Sequence, residues 1–349
     1  MKMKKYELVV ERLTAPAVII HGGAGAYLHT TTIQERVERG RSMAYVAETA
    51  LSAVLECDAR TGVLTAIASM ELDPIYNAGF GCKLQQDGTP RVSAALMDGH
   101  NLRFSGVINV TQCLHPSRLA NVLQDRGDRI LDDLGARRLM KELGTEPTEL
   151  RTDRTIARWR ELCRTGDLAD AEGAIADAGV EGLHQARKAA SQMPTDLPNL
   201  RKEWLSTHDD PDDDRFGTVG AVVLDAAGHL WVCTSTGGRG HEVVGRISDS
   251  AMPAGTYACP LVALSATGFG EQIVDINLCG RIATRIIDGL SLEAALAKTF
   301  EEVVSQGGLM GVIAMTRDGV AGYAYTTEAC GVAWADAAGV CGVDEHGRP

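Results

Sequence analysis

The sequence has few aromatic residues, no concentrated positive charge and no long apolar segment. Aromatic residues make up 5% of the 349 residues, while hydrophobic residues make up 45%. The 46 acidic residues outnumber the 34 basic ones, giving a formal net charge of −12, and no Lys/Arg block is long enough to follow a phosphate backbone. Nucleic acids and anionic membrane surfaces are therefore excluded as expected partners.

No apolar run approaches the roughly 20 residues that cross a bilayer. The basic residues 1–5 run into Glu7 and Glu11 without the apolar segment of a secretion signal. The nine cysteines form no Cys-x-x-Cys pair, which predicts reduced, buried thiols in a cytoplasmic protein. The functional alternative is a catalytic cysteine, for which Cys82 is the best candidate.

The 38 glycines, in contrast, predict many tight turns. An apolar strand at Ala17–Ile20 leads into the glycine-rich residues 21–25, where we expect a sharp turn with exposed amides. Apolar spacing in the first half predicts helices over 34–57 and 63–70, strands over 92–97 and 104–110, and charged helices between 117 and 193.

The second half begins after a polar, acidic segment, residues 194–217, which predicts an exposed linker. Later patterns predict a hairpin over 218–224 and 229–234, a strand over 261–265, two helices over 273–286 and 292–304, and strands over 312–315 and 320–325. Because strands and helices do not alternate regularly, we expect an α+β fold with helices outside antiparallel sheets.

Residues 20–25 lie between a strand and a helix, which raises the possibility of a phosphate-binding loop. The P-loop requires Lys followed by Ser or Thr, and the dinucleotide motif requires a third glycine where Leu28 stands. The segment satisfies neither requirement, so it does not indicate nucleotide binding.

Thr218 stands where the acidic linker meets an apolar strand. A flexible segment before a rigid strand suits an internal cleavage site. Cleavage between Gly217 and Thr218 would give Thr218 a free α-amino group with a pKa of about 8, able to take the proton of its own hydroxyl. Nucleophile and base would then belong to one residue, although a threonine at a strand start is also an ordinary structural feature.

Several motifs, in order and spacing, resemble those of the plant-type L-asparaginase and isoaspartyl peptidase family. Members of this family are N-terminal-nucleophile hydrolases. They are His21-Gly22-Gly23-Ala24-Gly25, residues 71–81, Met97-Asp98-Gly99, residues 218–225, Thr234-Ser235-Thr236-Gly237-Gly238, residues 245–250 and residues 265–271. The resemblance covers nearly the whole chain except residues 162–216. It implies a four-layer αββα sandwich, made as a precursor that cuts itself into an α subunit, 1–217, and a β subunit, 218–349, which remain one structural domain.

Carried over by position, the resemblance implies a set of catalytic roles. Thr218 corresponds to the nucleophile and Thr236 to the threonine that supports it, while Thr267 and the amide of Gly268 correspond to the oxyanion donors. Asn77 lies in the turn expected beside the nucleophile, where it either takes part in the chemistry or only stabilises the turn.

Arg246 and Asp249 supply one cation and one anion suited to the α-carboxylate and α-ammonium of a free amino acid. The alternative is an exposed ion pair with no role in binding. Gly270 also matches a substrate-binding position of the family. Together, Arg246 and Asp249 would form a clamp for an amino-acid head group whose side chain ends in an amide, as in L-asparagine and β-aspartyl dipeptides.

The resemblance implies no required cofactor and a dimer of cleaved units. It also implies a sodium ion held by backbone carbonyls in the loop formed by Glu71, Leu72, Asp73 and Tyr76. The expected activity is hydrolysis of β-aspartyl peptides and L-asparagine with release of aspartate. Two alternatives remain: a related amidase such as a glycosylasparaginase, and an uncleaved homologue that only binds ligands.

Three departures from the family pattern bear on the substrate. Ser93-Ala94-Ala95 replaces the usual Asp-Ala-Ser run, Phe269 stands between two glycines where smaller or branched residues are frequent, and Arg239-Gly240-His241 forms an unusual loop. The nucleophile and the clamp are retained, so these departures leave the amidohydrolase prediction in place. They indicate that the β-linked substrate could be bulkier or differently charged.

Overall fold

The computed structural model describes residues 6–25, 33–165, 217–339 and 341–344. The helices are α1 (Ile33–Glu56), α2 (Ala59–Leu72), α3 (Pro116–Leu123), α4 (Asp133–Glu142), α5 (Asp153–Thr165), α6 (Gly270–Ile276), α7 (Leu278–Ile287) and α8 (Leu292–Ser305). The strands are β1 (Glu7–Arg12), β2 (Ala17–Gly25), β3 (Val92–Asp98), β4 (Arg103–Val110), β5 (Ile130–Leu131), β6 (Val219–Leu224), β7 (Leu230–Thr236), β8 (Thr256–Ala258), β9 (Val262–Gly268), β10 (Met310–Thr316), β11 (Val320–Tyr325), β12 (Ala329–Asp336) and β13 (Cys341–Asp344).

These strands form two sheets. The 8-stranded sheet has the order β13-β12-β2-β6-β7-β3-β4-β5, and the 5-stranded sheet has the order β1-β11-β10-β9-β8. Neighbouring strands pair antiparallel, except for the parallel pair β4 and β5. The α+β prediction of helices with antiparallel sheets is confirmed at this level.

The central strands are buried on both faces, which explains why they read as continuous apolar runs. In β2, Val18 and Ile20 pack in a cluster with residues of α1 and α2, while the alternate residue Ile19 packs in a second cluster between the sheets. In β10, Val312 packs with residues of α7 and α8, and Ile313 packs between the sheets. The two-residue period of a strand assigns successive side chains to opposite layers.

Most predicted elements of the described chain are found, including α1, α2, α8 and the hairpin β6–β7. Gly228 has the positive φ of 83° in the predicted hairpin turn. The predicted helix over 273–286 is divided by Asn277, whose left-handed φ of 51° separates α6 from α7. The part of the predicted helical region after residue 165, and the predicted linker up to residue 216, lie outside the described residues.

The expected turn at residues 21–25 is wrong. Strand β2 continues to Gly25, because β12 pairs with it from Ala17 to Gly25 and covers these residues. The sequence analysis did not predict β12. Without this neighbouring strand, the glycines of residues 21–25 indicated a turn. Likewise, β9 extends to Gly268, which places Thr267 within a strand and not after one.

None of the helices in the described residues is long and apolar enough to cross a membrane.

Candidate active site

The hairpin β6–β7 brings together the two threonines at its open end. Thr218 directly precedes β6, Thr236 ends β7, and the register pairs Val219 with Ser235. The Thr218 hydroxyl donates to Oγ1 of Thr236 over 3.1 Å, and the residues are only 7% and 2% exposed. The structure therefore places the predicted nucleophile against its predicted supporting residue. Ser250 Oγ, which the sequence analysis missed, lies 3.5 Å from Thr218 Oγ1.

Asn77 fixes the turn that follows Thr236. Its side-chain amide donates to the Gly238 carbonyl over 2.6 Å, and its backbone carbonyl accepts from the Gly237 amide over 2.9 Å. The Gly238 amide in turn donates to Thr236 Oγ1 over 3.1 Å. A Cβ on Gly237 would lie 2.2 Å from that of Cys82, so only glycine fits there. Asn77 therefore positions Thr236, whichever further role it has.

Thr267 and Gly268 end strand β9 of the other sheet, and Thr267 lies close to the residue before Thr218. Oγ1 of Thr267 accepts the Ala24 amide over 3.1 Å and lies 3.5 Å from the position of a Cβ on Gly217. The Thr267 hydroxyl accepts in that bond, so its own proton is not used there. Gly268 has a φ of 128°, and a Cβ there would lie 2.6 Å from the Leu309 carbonyl oxygen, so glycine is required.

Arg246 and Asp249 meet beside Gly270. A Cβ on Gly270 would lie 2.5 Å from Nη2 of Arg246 and 2.8 Å from Oδ1 of Asp249, so this glycine leaves room for both groups. The Arg246 side chain is only 14% exposed and forms a bidentate pair with Glu271, with N–O distances of 2.8 and 2.9 Å. The alternative of an exposed pair between Arg246 and Asp249 is wrong, because Asp249 is buried and Arg246 pairs with Glu271.

Asp249 is a buried carboxyl group with spare hydrogen-bonding capacity. It is 3% exposed, and its Oδ2 has no hydrogen-bond partner in the described part of the chain. Burial raises the pKa of Asp249 to about 7, although Arg246 nearby acts to lower it. A bound ammonium group would supply the missing donors and favour the charged carboxylate.

Glu271 and Asn109 are site residues that the sequence analysis did not identify. Glu271 pairs with the Arg246 guanidinium, which was predicted to bind a substrate carboxylate. Asn109 Nδ2 donates to the backbone carbonyl of Arg246 over 2.9 Å. Glu271 directly follows Gly270 in the recognised motif, so its proximity was a usable signal. Asn109 lies 137 positions from Arg246, and no local pattern joins them.

The loop after α2 directs backbone carbonyls towards two glycines. The Glu71 carbonyl oxygen would lie 2.2 Å from a Cβ on Gly79, and the Tyr76 carbonyl oxygen 1.9 Å from one on Gly81. Glu71 and Leu72 end α2, where helix carbonyls carry partial negative charge. Such carbonyls fit a monovalent cation.

The side chains of this loop are engaged elsewhere. The buried Glu71 carboxylate accepts the hydroxyls of Ser117 and Ser235 over 2.7 and 2.8 Å. Asp73 accepts the Ser42 hydroxyl over 2.9 Å and the Ile75 amide over 3.0 Å. Within the described residues, no group of three or more His, Cys, Asp or Glu side chains could hold a metal.

All nine cysteines lie within the described residues, and none of them forms a disulfide bond. Six are buried, as predicted, and Cys163 is half-buried, whereas the prediction of burial is wrong for Cys57 and Cys341, which are exposed. Cys82 is fully buried in an apolar cluster, an environment that suits packing and does not suit a reactive thiolate.

Comparison with known proteins agrees with the recognised motifs. The family model described as Asparaginase matches residues 14–343. An isoaspartyl peptidase/L-asparaginase of a Nostoc species is 36% identical over 313 residues, covering 90% of this chain and 89% of that protein. Its counterpart in a Synechocystis species is 35% identical, covering 87% and 83%, and an Escherichia coli isoaspartyl peptidase is 29% identical, covering 91% and 92%.

We expect Asp249 to make stability depend on pH. Its folded pKa of about 7 exceeds the ordinary value of 3.8, so the folded protein holds a proton between these values that the unfolded chain releases. Stability should therefore fall as pH rises from about 4 to 7, by on the order of 4 kcal/mol from this group. In Asp249→Asn this part of the fall should disappear.

The measurement is the denaturation midpoint temperature against pH for wild type, Asp249→Asn and the exposed control Asp275→Asn. The difference between wild type and Asp249→Asn should grow in favour of the variant as pH rises through this window. A constant difference would contradict the raised pKa.

Proposed function

The chain belongs to the asparaginase family, and we propose that it is an autoprocessed threonine amidohydrolase that hydrolyses β-aspartyl peptides and L-asparagine, releasing aspartate. The observation that carries this proposal is the buried hydrogen bond between Thr218 and Thr236 at the open end of the β6–β7 hairpin. The names of the two cyanobacterial relatives, isoaspartyl peptidase/L-asparaginase, support the same reaction. The chain accordingly acts as a hydrolase of amide bonds.

Processing breaks the peptide bond between Gly217 and Thr218. Strands β2, β3 and β4 come from residues 1–217, whereas β6, β7 and β12 come from 218–349. In the 8-stranded sheet, β6 pairs with β2 on one side, and β7 pairs with β3. Because strands of the two fragments interleave, cleavage would leave one structural domain. The packing of helices outside the two sheets supports the four-layer αββα arrangement of the N-terminal-nucleophile hydrolases.

In the proposed mechanism, the new α-amino group of Thr218 takes the proton of its own hydroxyl. Oγ1 attacks the substrate amide carbon, and Thr267 and the Gly268 amide stabilise the oxyanion. The C–N bond breaks, and the protonated amine leaves. Water then hydrolyses the aspartyl ester on Thr218, releasing aspartate and restoring the hydroxyl.

The head group of the substrate binds at Arg246 and Asp249. The guanidinium, now paired with Glu271, holds the α-carboxylate by two parallel bonds, and Asp249 accepts the α-ammonium. Glu271 is 45% exposed, so its carboxylate can turn towards solvent when the substrate replaces it. The relatives support small-molecule substrates. Their resemblance also favours a dimer of cleaved units and a cytoplasmic location.

We expect Thr218→Ala to abolish both processing and hydrolysis, because one hydroxyl performs both reactions. A denaturing gel should show two fragments for wild type, with Thr218 at a new N-terminus, and one band for the variant. Thr218→Ser should retain part of both activities, since only a methyl group is lost. The control Thr284→Ala alters an exposed helical threonine and should process normally. Cleavage at Gly217 in Thr218→Ala would refute the shared nucleophile, and an uncleaved wild type would favour a binding homologue.

Arg246→Ala should reduce kcat/KM for L-asparagine and β-aspartyl dipeptides while leaving cleavage at Thr218 largely intact. Removing one partner of a buried charge pair weakens binding by about 2 to 5 kcal/mol, which corresponds to a loss of roughly 30-fold to several thousand-fold in kcat/KM. Asp249→Ala should act likewise through the α-ammonium, and N-acetylated substrates should be poor for wild type. The exposed control Arg137→Ala should keep full activity. Equal turnover of acetylated and free substrates would contradict the clamp.

The backbone carbonyls of the loop after α2 support the proposal of a sodium ion, which would be bound by the backbone oxygens of Glu71, Leu72, Asp73 and Tyr76. A ligand that binds only the folded state raises the denaturation midpoint. The midpoint should therefore be higher in sodium chloride than in choline chloride at equal ionic strength. Equal midpoints in the two salts would argue against a sodium site.

A further inference from the structure

The backbone of Arg239 is held in place three residues after Thr236. It follows the turn whose Gly238 amide binds Thr236, and its neighbours Gly238 and Gly240 have left-handed φ values of 83° and 88°. Its own backbone N–H donates to the buried Glu242 carboxylate over 3.2 Å. These contacts fix the backbone at Arg239, so its side chain leaves the loop from a set point.

The Arg239 guanidinium lies over the ring of Phe269, 5.2 Å from the ring centroid. Phe269 is only 5% exposed, packs against Leu309, and stands between Gly268 and Gly270. These two glycines belong to the proposed oxyanion and head-group positions. The ring contact therefore holds a cation over the residue that separates these two glycines, and stacking on an aromatic face leaves the guanidinium edge free to bind an anion.

The positive charge of Arg239 has no close carboxylate partner in the described part of the chain. Burial acts to raise the pKa of Glu271, but Arg246 and, more weakly, Arg239 lower it overall. Both carboxylate oxygens of Glu271 accept hydrogen bonds from Arg246, at 2.8 and 2.9 Å. The buried Glu242 carboxylate binds the backbone of Arg239 and forms no ion pair with its guanidinium. Arg239 is thus available to an incoming anion.

The candidate substrates differ in one such anion. In a β-aspartyl dipeptide, the leaving amino acid carries its own carboxylate, one carbon from the scissile nitrogen. L-Asparagine releases ammonia and has no anion on that side. The aspartyl half is the same in both, and it is bound by Arg246 and Asp249 in the proposed function, on which this inference rests.

We propose that Arg239 binds the carboxylate of the leaving amino acid, and that it makes the enzyme selective for β-aspartyl dipeptides with a free C-terminal carboxylate. Phe269 sets the direction of the guanidinium through the ring contact. Arg239 and Phe269, which belong to two of the three departures from the family pattern, then form one subsite for the leaving group.

The experiment measures kcat/KM for β-aspartyl-leucine, its C-terminal amide and L-asparagine. The acid and the amide differ only in the anion, so their ratio isolates the Arg239 contact. Wild type should prefer the acid by about 10-fold or more, since a charge-assisted bond contributes about 1.5 to 3 kcal/mol. Arg239→Gln should bring the ratio close to one, and Arg239→Lys should retain an intermediate ratio because it keeps the charge without the planar stack.

Arg126→Gln is the matched control, since Arg126 is an exposed arginine paired with Glu142. It should leave the acid-to-amide ratio at the wild-type value. An unchanged ratio in Arg239→Gln, or an equal loss on all three substrates, would overturn the leaving-group assignment while the proposed function stands. A processed wild type that hydrolyses none of the three substrates would refute the proposed function and, with it, this subsite.

Discussion

The antiparallel register of β6 and β7 is the constraint on which the rest of the site depends. Val219 pairs with Ser235, so Thr218 and Thr236 lie side by side just beyond the last paired residues. A shift of one residue would turn the side chains of β6 to the opposite face of the sheet. Apolar layers on both faces prevent such a shift, because Val222 packs between the sheets and Val223 packs against the helical layer. The packing of the core therefore fixes the position of the hydroxyl.

The same architecture holds two charged side chains, Asp249 and Arg246, at the proposed binding position, although burying a carboxyl group destabilises the fold. Asp249 is buried with one oxygen that has no hydrogen-bond partner among the described residues, and Arg246 is held nearby by Glu271. An isolated buried carboxylate destabilises the fold and shifts its pKa upward. The two apolar cores on either side of the 5-stranded sheet offset this cost. A substrate ammonium would pair with Asp249, and the substrate carboxylate would replace Glu271 on Arg246. This links the cost of burying Asp249 to recognition of the ligand.

Sequence could predict the features that depend on local order. Burial on both faces makes β6 a continuous apolar run, and Thr218 stands where that run begins. Features that depend on distant partners were not accessible: residues 21–25 form a strand only because β12 pairs with them. The pairing of Arg246 with Glu271 instead of Asp249 likewise depends on how β9 and α6 place Glu271. Recognition of family motifs supplied the site residues, whereas geometry supplied their partners.

The most direct test of the central claim is to trap the intermediate on Thr218. Processed enzyme is mixed with β-aspartyl substrate, quenched in acid within one turnover, digested and examined by peptide mass spectrometry. The account predicts an aspartyl ester on the peptide that begins at Thr218, and its loss when the quench is delayed until the substrate is exhausted. An aspartyl adduct on another residue, such as Ser250 or Cys82, or turnover with no adduct under conditions that preserve esters, would contradict Thr218 as the nucleophile.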